Sequence, residues 1–546
     1  MDLPLLYPTP RNLERLAGTV PADAPVRRSL DPAIAGDEAY RLVIRDGAVT
    51  ATARTATGLR WADATLAQIR AQCPRELPCL AIDDAPAFAH RGFMLDISRD
   101  RVPTLKTAME LVDAIAALKG NRLQLYTEHT IAYRGHEDAW RGSSPLTLEE
   151  LRALDAYAAS KGVALDANQN CLGHVERWLK HPRYAPLGEM DRGYFYRAWQ
   201  CWVQPNTLCP TDPKALEFVR DLLAQQLPAV SGAYANIGCD EPLDLGQGRS
   251  KPTCDAEGRG KVFSRWVSQV AEIARDLGKK PMYWCDPHPH EDDGLPRDLI
   301  ALVWGYDPKT DFATRTTAHR AVGRPVWVAP GTGNWNSTTG RTDYRRANLA
   351  VAAAERRAEG YLNTEWGDSG HLQPWPTTLA GMADGMQAAW TGGGTFDDAA
   401  LGAAVFGDAA VGRWLGELGN ADAELTKQVG NGNALHADMR MNTFDPSGKG
   451  TVDEWKALAA RLAVLEASRP ASGPWAAECA WAVRSAQWMA DRAVQRRSGI
   501  TLAQRQDLAA RLGDVLHDHR TQWLARCGYG GLEDSCLQLR RHAVWY

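Results

Sequence analysis

Between about residues 89 and 400 the chain repeats one pattern: a short apolar run, a turn, then a longer amphipathic stretch. The runs at 93–97, 122–127, 163–168, 234–238, 281–286, 299–304, 325–329 and 360–365 read as buried strands. Helical periodicity occupies 104–118, 147–161, 213–227, 259–277 and 341–358. Helix starts carry suitable caps, as in Thr147-Leu-Glu-Glu and Asp212-Pro213. Eight buried strands with crossover helices over about 310 residues predict an α/β fold closed into a (β/α)8 TIM-type barrel. An open doubly wound sheet is the alternative that periodicity leaves.

The flanks differ. Residues 1–88 read as a small non-catalytic α/β domain: Tyr40-Arg-Leu-Val-Ile-Arg alternates like a strand, Asp46-Gly47 is a turn, 49–55 a returning strand and 57–72 a helix. Ile82-Asp-Asp-Ala-Pro-Ala-Phe reads as linker. The barrel is placed at 89–400. From 401 to 546 the strand signal fades and helices are expected at 452–468, 474–497 and 501–526, with Trp475, Trp481 and Trp488 on a packing face.

Composition excludes several classes. Charged residues are 23% of the chain and net charge is −4, which gives no reason to expect nucleic acid or an anionic membrane as partner. No apolar run reaches the roughly 20 residues needed to span a bilayer. The 11 cysteines are scattered and form no Cys-x-x-Cys pair, so neither a structural zinc nor a disulfide framework is expected. The first residues lack a basic region before an apolar core, so no signal peptide is read and a cytoplasmic location is expected. A leader already removed would instead imply a periplasmic or secreted protein. A homo-oligomer is compatible with everything in the sequence. The 20 tryptophans are the compositional oddity, and many fall at strand ends, where a flat ring can stack on the apolar face of a sugar.

In a parallel barrel, functional groups gather where strands end. The first strand runs to Asp96-Ile-Ser-Arg99, the second to Glu128-His129, and the third to Asn168-Gln-Asn170 with His174 beyond. The fourth runs to Asp240-Glu241, the fifth to Trp284-Cys-Asp286 and the sixth to Trp304-Gly-Tyr306. The seventh leads to Trp335-Asn336, and the eighth to Glu365-Trp366-Gly-Asp368. Adjacent acids at a strand end splay apart and can do two different jobs around one molecule. Acids, one arginine and repeated tryptophans on one face point to cleavage of a sugar linkage.

Three separated segments, His90-Arg-Gly-Phe-Met-Leu-Asp-Ile-Ser-Arg99, Asn236-Ile-Gly-Cys-Asp240-Glu241 and Trp366-Gly-Asp368, resemble the family 20 glycoside hydrolases, the β-N-acetylhexosaminidases. The resemblance implies an exo-acting, retaining enzyme that removes terminal β-linked GlcNAc or GalNAc, with a glycan as partner and neither metal nor cofactor. It implies Glu241 as general acid and then base. The substrate's own 2-acetamido oxygen would be the nucleophile, oriented and stabilised by Asp240. Arg99 would fork onto O3 and O4, and Asp368 would contact O4 and O6. Trp284, Trp335 and Trp366 would cage the acetamido methyl, with Trp304 beside them, and His174 would support the acid pair. Glu128 and His129 sit where the family usually has a His-x-x-Asp-Asp type segment.

Two departures matter. Asn236 stands where the family's acid-pair motif begins with His, so a cation is not available there. The stretch Val328-Ala-Pro-Gly-Thr-Gly-Asn-Trp335-Asn336 lacks the tyrosine that usually holds the acetamido oxygen, leaving Tyr306 or Asn336 as substitutes. Two rival readings stand: a retaining glycosidase with Glu365 as protein nucleophile, and a catalytically silent sugar-binding protein. Asp286-Pro-His-Pro-His290-Glu-Asp-Asp293 matches no familiar metal spacing, Asp445-Pro-Ser-Gly-Lys-Gly450 puts a lysine at a would-be calcium ligand position, and Gly392-Gly-Gly394 lacks the Lys-Ser/Thr of a phosphate loop.

Overall fold

The computed structural model describes residues 2–197, 201–286, 294–425, 430–440 and 450–541. Of the two stretches set aside as metal sites, the part of 286–293 beyond Asp286 and all of 445–450 except Gly450 lie outside these residues.

Eight parallel strands close into a barrel in the order His90–Asp96, Arg122–Tyr126, Ala164–Asn168, Tyr234–Asn236, Lys280–Cys285, Ile300–Trp304, Val326–Ala329 and Gly360–Glu365. Register closes the ring, with Gly360–Glu365 pairing along His90–Leu95. All eight predicted strands are present. The fourth is shorter than expected because the chain leaves the ladder after Asn236: the Asn236 side chain accepts the Gly238 N–H at 3.0 Å, and Gly238 and Cys239 take positive φ of 65° and 71°. Asn236 is therefore a turn former. The barrel floor is plugged by His90 stacked on Trp327 and by Arg122, which lies over Tyr234 and pairs with buried Asp166 at 2.8 Å.

The five predicted crossover helices are found, and the longer barrel helices that the periodicity did not reveal are Phe312–Ala321, between the sixth and seventh strands, and Trp375–Thr391, after the eighth. Every residue from Trp375 to Trp390 is buried. That helix is enclosed by the barrel on one side, and Trp390 joins the core of the N-terminal sheet on the other, so it has no polar face to produce an amphipathic signal. Gly385 is required there, since a Cβ would stand 2.0 Å from the Asn363 side chain. Gly392 ends the helix in a left-handed cap.

The N-terminal unit is a five-stranded sheet with the helix Ala56–Gln72. The linker reading of Ile82–Phe88 is corrected: Ile82–Asp84 belong to the strand Glu76–Asp84. Asp84 looked like loop because it is charged, yet it is the buried knot between sheet and barrel. It accepts hydrogen bonds from Tyr40 Oη (2.8 Å), Lys119 Nζ (2.9 Å) and Trp390 Nε1 (3.0 Å). The strands Asn12–Pro21 and Val26–Leu30 escaped notice because most of their residues are exposed and alternate poorly. Beyond the barrel, the helices Val452–Ala467, Ala476–Ser498 and Leu502–Arg526 pack through Trp481 and Trp488, both buried. All 11 cysteines are free thiols. No described helix is long and apolar enough to cross a membrane.

Candidate active site

A cavity of about 450 Å³ opens where the barrel strands end. Of the eleven residues singled out from the sequence, ten line it: Asp240, Glu241, Arg99, His174, Asp368 and the rings of Trp284, Trp304, Tyr306, Trp335 and Trp366. Asn336 does not. It is buried at positive φ beneath Gly432, and its carbonyl accepts the Asn433 N–H at 3.2 Å. Its place as a holder of the acetamido group is withdrawn.

The acids owe their positions to the tight turn after the fourth strand. Glu241 adopts φ 42°, a left-handed conformation that costs a non-glycine residue energy and persists where neighbours enforce it. Two contacts do so. Asp286, one residue past the fifth strand, accepts the Glu241 N–H through Oδ2 at 3.0 Å. The loop after the third strand presses in at Gly173, where a Cβ would lie 2.2 Å from the Asp240 carbonyl oxygen. The next residue, His174, thereby reaches both acids: Nε2 is 3.4 Å from Asp240 Oδ2 and 3.3 Å from Glu241 Oε2. On the other side of the ring, Nδ1 is 3.8 Å from Glu128 Oε1. Burial alone would favour the neutral imidazole. The charge of Asp240, hydrogen bonds to both acids and the charge of Glu128 outweigh it and hold His174 well above its ordinary range.

Arg99 sits among carboxylates: Nη1 is 3.0 Å from Asp96 and 3.4 Å from Glu128, and Nη2 is 3.6 Å from Asp368. It also lies over the rings of Tyr126 and Trp366. Asp96 ties the first strand end to the eighth by accepting the Gly367 N–H at 2.9 Å. Glu128, whose role the sequence left open, belongs to this charge cluster. His129 does not, being paired with Asp100 at 2.8 Å away from the cavity.

Tyr306 is the centre of the aromatic lining. It stacks on Trp304 at 5.4 Å, meets Trp335 edge-on at 5.0 Å, and its Oη accepts the Trp366 Nε1–H at 2.8 Å. Burial pushes its phenol up, so the hydroxyl keeps its proton.

Sequence reasoning missed one wall. Asp307, Arg341, Tyr344, Gly430 and Asn431 also line the cavity. Asn431 Oδ1 accepts the Trp335 Nε1–H at 2.5 Å, Arg341 donates to the Gly430 carbonyl at 3.0 Å, and the Tyr344 hydroxyl bonds Asp307 at 2.9 Å. Asn433 fastens the segment by donating to Ser337 and Thr339. No local pattern announces these residues. Tyr344 lies on a crossover helix, and 430–433 comes from beyond the barrel.

Glu365, the rival nucleophile, is fully buried away from the cavity, and its oxygens accept from Thr378 (2.8 Å), Gln373 (3.1 Å) and Asn334 (3.1 Å). It is a structural carboxyl.

Asp286 gives a pH-dependent expectation. Burial, then the charge of Asp240, pushes its carboxyl up from 3.8 to about 7. The folded protein thus keeps a proton there that the unfolded chain has already released, and stability falls as pH rises through that window. Asp286→Asn cannot titrate, and its amide oxygen still accepts the Glu241 N–H. Near pH 4 the variant and wild type should unfold alike. Above pH 7 the variant should be more stable by roughly 2–4 kcal/mol. Urea unfolding at pH 4.5 and 8 checks this; a gap that does not change with pH refutes it.

Paired acids facing an aromatic cavity at the strand ends of a parallel barrel form the architecture of the barrel glycoside hydrolases. The family models agree. Residues 88–325 match "Glycosyl hydrolase family 20, catalytic domain" and residues 8–85 match "Glycosyl hydrolase family 20, domain 2", between them more than half the chain. The chain belongs to glycoside hydrolase family 20. The catalytic match stops at the threshold of the seventh strand, and the missing tyrosine belongs to the part beyond. Among curated proteins, the chain is 26% identical over 315 residues to a β-N-acetylhexosaminidase of Cellulomonas fimi (54% of this chain, 59% of that one). It is 26% identical over 300 residues to a β-hexosaminidase of Vibrio furnissii (49% and 48%). The matched region thus spans about half to three fifths of those proteins' length. The solved Flavobacterium johnsoniae chitobiase shares the fold over 98% of this chain and 99% of its own, at 17% identity and a TM-score of 0.61. A second solved β-N-acetylhexosaminidase shares it over 75% of this chain and 97% of its own, at 16% identity and a TM-score of 0.61.

Proposed function

We propose that the protein is an exo-acting, retaining β-N-acetylhexosaminidase that cleaves terminal β-linked GlcNAc or GalNAc from a glycan, using the substrate's own acetamido group as nucleophile. The observation that carries this reading is the state of Asp240. Its Oδ2 faces His174, while its buried Oδ1 has no hydrogen-bond partner among the described residues. That oxygen is free to accept an acetamido N–H.

The other carboxylates at the cavity are engaged. Asp368 faces Arg99, and Asp307 accepts from Tyr344 and from the Lys309 N–H. With Glu365 buried outside, none of these is placed as a protein nucleophile.

Glu241, with a third of its side chain exposed, donates its proton to the departing glycosidic oxygen. The acetamido carbonyl oxygen forms a bond to the anomeric carbon as the glycosidic bond breaks, giving an oxazolinium ion. Asp240 holds the N–H and offsets the positive charge. Tyr306, with its oxygen already bonded to Trp366, can direct its hydroxyl proton at the acetamido oxygen, taking the role of the absent tyrosine. Water then attacks the anomeric carbon while the Glu241 carboxylate takes its proton, and two inversions restore the configuration. The His174 imidazolium fixes both carboxyl groups, and Arg99 with Asp368 receives the distal hydroxyls.

The test is a panel of nitrophenyl β-glycosides varied at C2 and C4, with a thiazoline analogue of the cyclised sugar as inhibitor. Turnover confined to 2-acetamido sugars and competitive inhibition by the thiazoline are expected. Equal rates on plain glucosides would refute acetamido participation.

A further inference from the structure

The loop that follows the third barrel strand carries a two-stranded hairpin, Tyr194–Tyr196 against Cys201–Val203. Phe195 lies directly opposite Trp202 in the register, with ring centroids 6.2 Å apart. Both rings face solvent, 46% and 73% exposed. Single exposed apolar residues are ordinary. A cross-strand aromatic pair steadies a two-stranded ribbon, and here it also leaves much of both rings open to a ligand.

The root of the hairpin lies on the Glu241 side of the site. Three residues past its second strand, Asn206 places its side-chain amide 3.5 Å from the Glu241 carbonyl oxygen and its N–H 3.4 Å from Asp244. Tyr194, pointing the other way from Phe195, has a buried hydroxyl within the field of Asp244. Trp202 is four residues from Asn206, so their Cα atoms are at most about 14 Å apart. That distance spans two or three sugar rings.

We propose that Phe195 and Trp202 form a stacking platform for the pyranose rings on the leaving-group side of a β-linked glycan. This rests on the function proposed above, because it is there that Glu241 is the proton donor. A general acid stands beside the departing oxygen, so the remainder of the glycan extends past Glu241, toward this hairpin. The apolar C–H face of a pyranose suits a flat exposed indole, and recognition of this kind favours longer chains over short aryl glycosides.

The test compares wild type with Trp202→Ala and Trp202→Tyr. For each, kcat/KM is measured on the tetramer of β-1,4-linked N-acetylglucosamine and on a nitrophenyl N-acetylglucosaminide. Trp202→Ala should lower the tetramer-to-aryl ratio by about five- to tenfold, and Trp202→Tyr should restore most of it. A second arm uses calorimetry on Glu241→Gln, in which affinity should rise from monosaccharide to tetramer and the rise should be lost when Trp202→Ala is added. An unchanged ratio, or equal losses on both substrates, overturns the proposal. So does a shift in sedimentation from dimer to monomer with the ratio unchanged, which would make the rings a contact between two copies. If the wild type cleaves no 2-acetamido glycoside, the functional reading fails by itself, and the calorimetric arm still decides whether the rings bind sugar.

Discussion

Glu241→Gln should lower kcat on an N-acetylhexosaminide with a sugar leaving group by roughly 10²–10⁴-fold. The amide has the carboxyl's shape but no proton to give. The strained turn should survive, because it is held through the Glu241 N–H by Asp286 and not through the side chain. The deficit should shrink on aryl glycosides whose phenolate departs without protonation. Steady-state kinetics on the two substrate types reads this directly, and near-normal turnover on the sugar leaving group would remove Glu241 from the acid role.

Asp240→Ala should cost roughly 10²–10³-fold in kcat on 2-acetamido substrates, the scale set by losing a preorganised charge partner of the reacting group. Asp240 is only 7% exposed, so the charge it offers the oxazolinium is little screened. Asp240→Asn separates two contributions. It keeps an acceptor for the acetamido N–H and loses the charge, so it should fall between wild type and alanine. Unchanged rates in both variants would mean that the acetamido group is not steered from this position.

The parts legible from sequence were those written locally. Barrel strands are continuous apolar runs because helices cover them, and their ends display the acids and indoles in chain order. Asp84 and the helix Trp375–Thr391 were misread or missed for a common reason. Each is buried by three elements at once, so its neighbours come from distant parts of the chain. Asp84 is charged but neutralised in the interior by Lys119. Glu365 ends a strand, as a catalytic residue would, but Thr378, Gln373 and Asn334 claim its oxygens. Asn236 departs from the family motif, and only the structure shows it bonding the Gly238 N–H to bend the chain. Ten of eleven nominated residues meet at the cavity. Asn336, adjacent to one of them, shows that sequence neighbours at a loop turn need not share a face.

Gly430–Asn433, about forty residues past the end of the helix Trp375–Thr391, pins the indole of Trp335 and closes one side of the cavity. Excising the barrel by itself would therefore yield a different vessel, with an opened flank and a loosened ring. Drift in the helical tail acts directly on what the pocket accepts, so relatives that share every barrel motif but carry unlike tails should diverge in the ligands they admit.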